Sequence, residues 1–386
     1  MRPKIKLLTG WSEVTLLEDI WRCWNNDQPV IVINPKILEL KNKSLFQIGI
    51  DKHTKYINKS SVLYKNLSAG FQLILLTSGT TGEPKLICLD KKSILFNINT
   101  IHKHLSLSSK TTVYGVPPLF HAFGAVLNGL MAKVKNLDYV DSRDVNLKDV
   151  NSPILISYIP GSVFKYLKSP LPHLTGVSIN GGDCLYQSQI EHMYKMLPNV
   201  KHTTGYGMTE AGPVITHTKT DEKLSPGFIG APLKGVTTEV DGNNILKFKS
   251  DGQAHAIFNF NKMTWEKIND EWISTGDIVQ PHSNGYNFVG RSQWSINKKG
   301  ETISPYLLEK TIEELLNHQY ECRVLPVQIN DTQSLKLMLR ATFTTNNKGF
   351  VHQKLRKLPV FFQPTSIEFV TEWPENSNGK LNRLVG

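Results

Sequence analysis

The stretch Phe71-Gln72-Leu73-Ile74-Leu75-Leu76-Thr77-Ser78-Gly79-Thr80-Thr81-Gly82-Glu83-Pro84-Lys85 orders the reading of everything around it. Its apolar first half predicts a buried strand, and its second half predicts a loop rich in glycine and hydroxyl groups. Glycines let a ligand approach the backbone closely, and Thr and Ser hydroxyls with loop N–H groups can cradle phosphate oxygens. Lys85 adds a point charge. The loop is not a Walker A loop, whose lysine follows glycine and precedes Ser or Thr; here Lys85 follows Pro84 and precedes Leu86. A plain strand–turn–strand connection is the alternative, and nine residues of this composition argue against it.

Outward from the loop, a helix is predicted over Ser12–Trp24 and a strand over Pro29–Ile33. A second strand follows at Leu86–Leu89, then a helix from about Lys92 to His104. Up to Arg291 short apolar strands alternate with helical stretches such as Tyr186–Leu197, a pattern of α/β layers. After Arg291 the pattern changes. Ser304-Pro305 reads as a helix cap with proline at the first helical position. Leu307, Leu308, Thr311, Ile312, Leu315 and Leu316 then recur along one helical face. Strands over Arg323–Ile329 and Leu335–Phe343, a helix over Gly349–Leu358 and a strand over Ser366–Val370 complete a small α+β unit, with a boundary near Ser292.

Composition narrows the class. The 386 residues carry Lys+Arg 44 against Asp+Glu 33, a net +11, with 40% hydrophobic and 20% charged residues. That balance excludes a disordered chain or a fibre, and the length predicts two or three domains. No apolar run reaches the roughly 20 residues that span a bilayer, so no integral membrane segment is expected. The basic start, Met1–Leu8, lacks a secretory apolar region. Cys23, Cys88, Cys184 and Cys322 lie far apart without ligand spacing, which predicts reduced thiols in a cytoplasmic protein. The positive charge forms no block, so nucleic acid is not expected as a partner, although the field can help attract a polyanionic substrate.

Thr77–Lys85 resembles the phosphate loop of the adenylate-forming superfamily, which includes acyl-CoA synthetases, adenylation domains of nonribosomal peptide synthetases, and luciferase. Four further stretches match in the family's order: Gly205-Tyr206-Gly207-Met208-Thr209-Glu210, Ser274-Thr275-Gly276-Asp277, Gly290-Arg291 and Asn378-Gly379-Lys380. Five in order are very unlikely by chance. The resemblance implies a large layered α/β domain over 1–291 that binds ATP and the acid. It also implies a small mobile α+β domain over 292–386 that carries the catalytic lysine. Only 76 residues precede the loop, fewer than in typical members, so the first domain would be abbreviated.

Family members activate a carboxylate with ATP, release pyrophosphate, and pass the acyl group from its adenylate to a thiol. Two anions must meet in the first step, which calls for a cation, phosphate donors and a divalent metal. By resemblance, Lys380 is that cation, Thr209 contacts the α-phosphate and Glu210 holds Mg²⁺. Thr77, Ser78, Gly79, Thr80, Thr81, Gly82 and Lys85 would hold the outer phosphates. Tyr206 would stack on adenine, with Gly181, Gly182 and Asp183 lining the opposite side. Asp277 would accept the ribose hydroxyls, assisted by Arg291.

Pro117-Pro118-Leu119-Phe120-His121-Ala122-Phe123-Gly124 resembles the segment beside the family's acyl pocket. Peptide-synthetase domains for α-amino acids place an aspartate there for the ammonium group; His121 offers no such salt bridge, which favours a fatty, aryl or other simple acid. Gly205 and Gly207 would line the acid site, and Gly300 the path of the thiol. Trp294, beside Gln293, stands where the family's hinge is usually Asp or Lys, and Leu86 replaces a glycine that often follows the loop lysine. Coenzyme A is the expected acceptor. The phosphopantetheine arm of a carrier protein is the first alternative, and a catalytically weakened nucleotide-binding regulatory relative the second.

Overall fold

The computed structural model describes residues 4–373 except 11, 40–42, 58–60, 65–66, 68–69, 79–83, 151–152, 269–270, 299–300, 330–331 and 342–346. Helix α1 (Glu13–Asn25) starts where Ser12 caps it, the side chain accepting from the Thr15 amide. Leu16, Leu17, Ile20, Cys23 and Trp24 recur at helical spacing and are buried. Strands β1 (Gln72–Ser78) and β2 (Pro84–Asp90) form an antiparallel hairpin, followed by helix α2 (Lys91–His104), capped by Asp90. The hairpin lies inside a seven-stranded sheet ordered Thr264–Lys267, Ala256–Asn259, β2, β1, Val30–Val32, Ile5–Leu8, Tyr56–Ile57. Ile5–Leu8 and Tyr56–Ile57 are strands that the sequence reading does not assign.

A second sheet has eleven strands. Its first half is parallel: Asp138–Asp141, Thr112–Gly115, Ile154–Tyr158, Gly176–Asn180 and β3 (Val200–Tyr206), the last reached through helix α3 (Gln187–Met196). Beyond β3 the pairing turns antiparallel, through Thr216–His217 and Phe228–Pro232. It then continues to the long hairpin β4 (Ile273–His282) and β5 (Gly285–Arg291), and past β4 to Ile245–Ser250 and Val236–Val240. The expected α/β alternation therefore holds only to about Val200. Tight turns account for the change: Asp241 Oδ1 accepts from the Asn243 and Ile245 amides, which closes a hairpin where a crossover helix would otherwise run. Between the sheets, α1 and α2 press Leu16, Leu17, Ile20, Ile94, Ile98 and Ile101 against Leu73, Leu75, Val177 and Ile179. Burying each such side chain contributes about 1.5–3 kcal/mol.

From Ile296 onward the chain builds its own core. Helix α4 (Pro305–Leu315) begins at Ser304-Pro305, as its cap signal predicts, with Ser304 Oγ accepting from the Leu307 amide. It packs on a three-stranded sheet of Tyr320–Ile329, Thr332–Ala341 and Ser366–Phe369. The buried face of α4 differs from the apolar face read in sequence. Leu307 is 44% exposed and Thr311 is exposed, whereas Glu309 and Glu313 are buried beside Leu308 and Ile312.

Partners at the seam with the rest of the chain explain why Glu309 is buried there. Tyr186 OH donates to Glu309 Oε2, and the Val324 amide donates to Glu309 Oε1 at 2.8 Å. Gln189 donates to Glu321 at 3.1 Å. The buried Arg323 guanidinium sits 4.5 Å from the Tyr186 ring centre and 5.0 Å from that of Trp373. Buried charges of this kind persist when paired and hydrogen-bonded.

Glu313 is the exception, since its buried Oε1 makes no hydrogen bond. Burial pushes its carboxyl from 4.5 up to about 9; Arg323 opposes the rise, and Glu321, Glu309 and Glu314 add to it. The folded value lies above the unfolded one, so the stability this group contributes is complete below pH 4.5 and is lost as pH climbs toward 9. Glu313→Gln is expected to melt higher than the parent, by a margin that widens from about pH 5 to about pH 8.5. Thermal unfolding followed by circular dichroism across that range checks this; a margin independent of pH would contradict a buried neutral acid.

Candidate functional site

The hairpin β1–β2 is the first part of the site. Leu73–Leu76 and Leu86–Leu89 are buried, which makes both strands interior members of their sheet. Pairing runs further than the sequence suggests: Thr77 faces Lys85 and Ser78 faces Pro84, so four residues read as loop stand on the strands. Side chains directly opposite one another share a face. Thr77 and Lys85 therefore project together, both half-buried, beside the turn. Gly79, Thr80, Thr81 and Gly82 lie outside the described residues, as does the side chain of Ser78.

The second part lies at the ends of the central parallel strands, where ligands of open α/β sheets commonly bind. Gly181 follows strand Gly176–Asn180, and its amide donates to the Tyr158 carbonyl at 3.0 Å. A Cβ placed on Gly181 would come within 2.7 Å of the Gly205 carbonyl oxygen and 3.6 Å of the Phe123 ring. Only glycine lets these two backbones pass so closely. Gly207 is confined in the same way, since a Cβ there would meet the Pro213 carbonyl oxygen at 2.1 Å. Gly182 has a positive φ of 85°, and Asp183 Oδ1 accepts from the Cys184 amide.

Beyond Tyr206 the chain makes a short turn, Thr209–Ala211, in which Glu210 is 9% exposed. The Ala254 amide donates to the Glu210 carbonyl at 2.8 Å, and the next residue, His255, donates its amide to the Cys88 carbonyl of β2 at 2.8 Å. Glu210 is thus stitched to the strand that carries Lys85.

Asp277 is the electrostatic centre. Arg291 Nε donates to its Oδ1 at 2.6 Å and Nη2 to its Oδ2 at 3.3 Å, while Tyr206 OH donates to Oδ2 at 2.7 Å. Thr275 aims the carboxylate: its Oγ1 accepts from the Asp277 amide at 3.0 Å and donates to the Leu246 carbonyl at 2.7 Å. Sequence assigns Thr275 no role, although it stands inside the matched Ser274–Asp277 stretch. Burial opposes the Arg291 charge, but Asp277 and Tyr206 outweigh it and hold the guanidinium above its ordinary value. Burial, with Asp277 beside it, pushes the Tyr206 phenol far up, so the hydroxyl stays a donor.

The predicted hinge pair sits against this cluster. Gln293 is exposed, and the Trp294 ring centre lies 5.1 Å from the Arg291 guanidinium, a cation–π distance. His121 precedes helical residues Ala122–Gly124, which continue as a wider π turn over Ala125–Leu130. Its ring lies 4.9 Å from that of Phe120. Gly300 and Lys380 lie outside the described residues.

The model of the AMP-binding enzyme family matches residues 71–253. 4-Coumarate–CoA ligase 2 of Nicotiana tabacum is 25% identical over 344 residues, covering 80% of this chain and 63% of the ligase. Gramicidin S synthase 2 of Brevibacillus brevis is 22% identical over 395 residues, covering 92% of this chain and 9% of the synthase. This chain thus spans less than two thirds of either relative. O-Succinylbenzoate coenzyme A synthetase from Bacillus subtilis, solved in complex with ATP and magnesium ion, superposes with a TM-score of 0.74 at 16% identity, covering 99% of this chain and 89% of that one. The mixed α/β fold is that of the adenylate-forming enzymes.

Arg291→Ala strands a buried carboxylate and is expected to cost about 3–5 kcal/mol of stability. Adding Asp277→Asn to it should recover part of that loss, because no uncompensated charge remains. Urea unfolding of the two variants checks this, and a double variant less stable than Arg291→Ala alone would contradict it.

Proposed function

We propose that this chain belongs to the adenylate-forming superfamily, joins a simple carboxylic acid to AMP at the expense of ATP, releasing pyrophosphate, and then transfers the acyl group to coenzyme A. The observation that carries this reading is the Tyr206–Asp277–Arg291 cluster set beside the closely passing backbones of Gly181 and Gly205. A carboxylate offers about four acceptor positions, and three on Asp277 are taken. Room remains for a ribose hydroxyl, and a second is accommodated if Tyr206 gives up its bond. In this reading the Tyr206 ring supports the adenine and Thr77, Lys85 and the loop between them hold the outer phosphates.

Among the described residues no group of three or more His, Cys, Asp or Glu side chains forms a metal site by itself. A lone carboxylate from Glu210 fits Mg²⁺ bound chiefly through phosphate oxygens and water, the usual habit of that ion. When bound, Mg²⁺ neutralises charge on the triphosphate. Thr209 and Lys380 then contact the α-phosphate, with Lys380 drawing the acid's carboxylate in line. We assign 292–386 to a unit that moves relative to 1–291 to deliver Lys380 and later the thiol past Gly300, with Gln293 and Trp294 at its pivot. Stacking on Arg291 gives Trp294 a contact that favours the arrangement seen here.

His121 offers no anion to an ammonium group, which supports an acid without an α-amino group. The likeness to a gramicidin S synthase keeps one second reading, in which a carrier protein's phosphopantetheine is the acceptor. Three of the four free cysteines are buried, which suits work in the reducing cytoplasm. Among the described residues no helix is long and apolar enough to cross a membrane. Hydroxylamine trapping across a panel of acids is expected to show turnover with simple acids and none with amino acids; the reverse would overturn the acid class. Coenzyme A and a holo-carrier protein offered in parallel identify the acceptor. Lys380→Ala is expected to slow acid-dependent pyrophosphate exchange by about 10²–10³-fold while nucleotide binding persists; full exchange would remove Lys380 from the mechanism.

A further inference from the structure

Glu13 is a buried carboxylate that the proposed chemistry does not use. It is 1% exposed, at the first position of α1, where the helix dipole favours an anion. Its Oε2 accepts from the Leu119 amide at 2.7 Å, and its Oε1 accepts from Arg143 Nη1 at 2.9 Å. Arg143 is itself held by Asp141, with Nε to Oδ1 and Nη2 to Oδ2 both at 2.8 Å. A charge-assisted bond between a backbone amide and a buried, paired carboxylate is among the stronger hydrogen bonds a protein makes.

Its target is chosen by covalent chemistry. Pro117 and Pro118 have no N–H, so Leu119 supplies the first amide of the segment that leads to His121. The rest of that segment is wedged in place. A Cβ on Gly124 would meet the Pro118 and Pro117 carbonyl oxygens at 2.2 and 2.3 Å. The Leu119 side chain lies over Gly129 beside Leu17 of α1. Phe123, at the far end, touches the Gly181 position, which in turn meets the Gly205 carbonyl. Close approaches thus place α1 against Leu119 at one end of the segment and Phe123 against the Gly181 position at the other.

We propose that Glu13 is a positioning residue for acid binding: by clamping the Leu119 amide, with Arg143 holding its other oxygen, it sets where His121 and Phe123 stand against Gly181 and Gly205. This rests on the reading that residues 117–124 border the acid. Glu13 acts through the segment and touches neither nucleotide nor acid.

Two measurements on the full chain test it. In Glu13→Ala, hydrogen exchange of amides 119–124 is expected to rise about tenfold or more, the loss of a charged hydrogen bond, with strands 112–115 and 154–158 unchanged. In acid-dependent pyrophosphate release, the KM for the acid should rise about tenfold while that for ATP holds. Glu13→Gln keeps an acceptor oxygen but not the charge and should fall between parent and Glu13→Ala in both. Exchange at 119–124 equal to the parent overturns the clamp, and so does a loss of protection spread over both strands with the two KM values rising together. If Glu13→Ala does not fold, parent-like exchange in Glu13→Gln overturns it equally. A parent chain that releases no pyrophosphate with any acid refutes the proposed function instead, and the exchange data still decide the clamp.

Discussion

A single carboxylate, that of Asp277, ties together parts of the chain that local structure would leave independent. It sits on β4, directly opposite Arg291 on β5, and accepts from Tyr206 at the end of β3. The parallel and antiparallel halves of the large sheet are thereby joined by side chains as well as by backbone pairing. Burying an ionised group in that position costs several kcal/mol unless donors surround it, so Arg291, Tyr206 and the Asp277 amide's link to Thr275 must all be in place together. A register shift between Ile278 and Val279 follows at once, consistent with a bulge that re-aims side chains beside a functional site. Everything proposed about nucleotide binding begins from this cluster, because its three donors fix the direction of each carboxylate oxygen.

A second polar assembly occupies the seam between α3 and the unit from Ile296 onward. Tyr186 bonds Glu309, Gln189 bonds Glu321, and Arg323 lies between two aromatic rings. Such an interface is specific without being oily. The groups that bond across it are satisfied here but would find water if the two parts separated, so the free-energy difference between docked and undocked arrangements is smaller than for an apolar seam of equal size. That is the physical condition a moving unit needs, and Trp294, stacked on Arg291, sits where the chain passes from one part to the other.

The first helix makes a link of the same kind. α1 packs into the main core through Leu16, Leu17 and Ile20, and its opening residue, Glu13, lies on that same buried face and accepts from the Leu119 amide. One helix face thus anchors the fold with its apolar side chains and holds the 117–124 segment through the carboxylate at its first position.

Much of this was legible in the linear order of residues. Ser12, Asp90 and Ser304 start helices because a short oxygen-bearing side chain can satisfy an amide one turn ahead, and apolar runs such as Leu73–Leu76 become interior strands wherever they fall. The matched stretches that hold Tyr206, Asp277 and Arg291 likewise marked residues that do meet, since their chemistry is carried by residue type and spacing. What sequence misread was of another kind. Leu307 and Thr311 read as part of the buried face of a helix yet are exposed, and the residues after Val200 read as continuing α/β layers. Tyr206 finds Asp277 across 71 positions and Leu119 finds Glu13 across 106. Periodicity and capping report interactions within a turn or two of the chain, where geometry is nearly fixed. A buried charge is decided by partners that only folding brings near, and no local pattern encodes them.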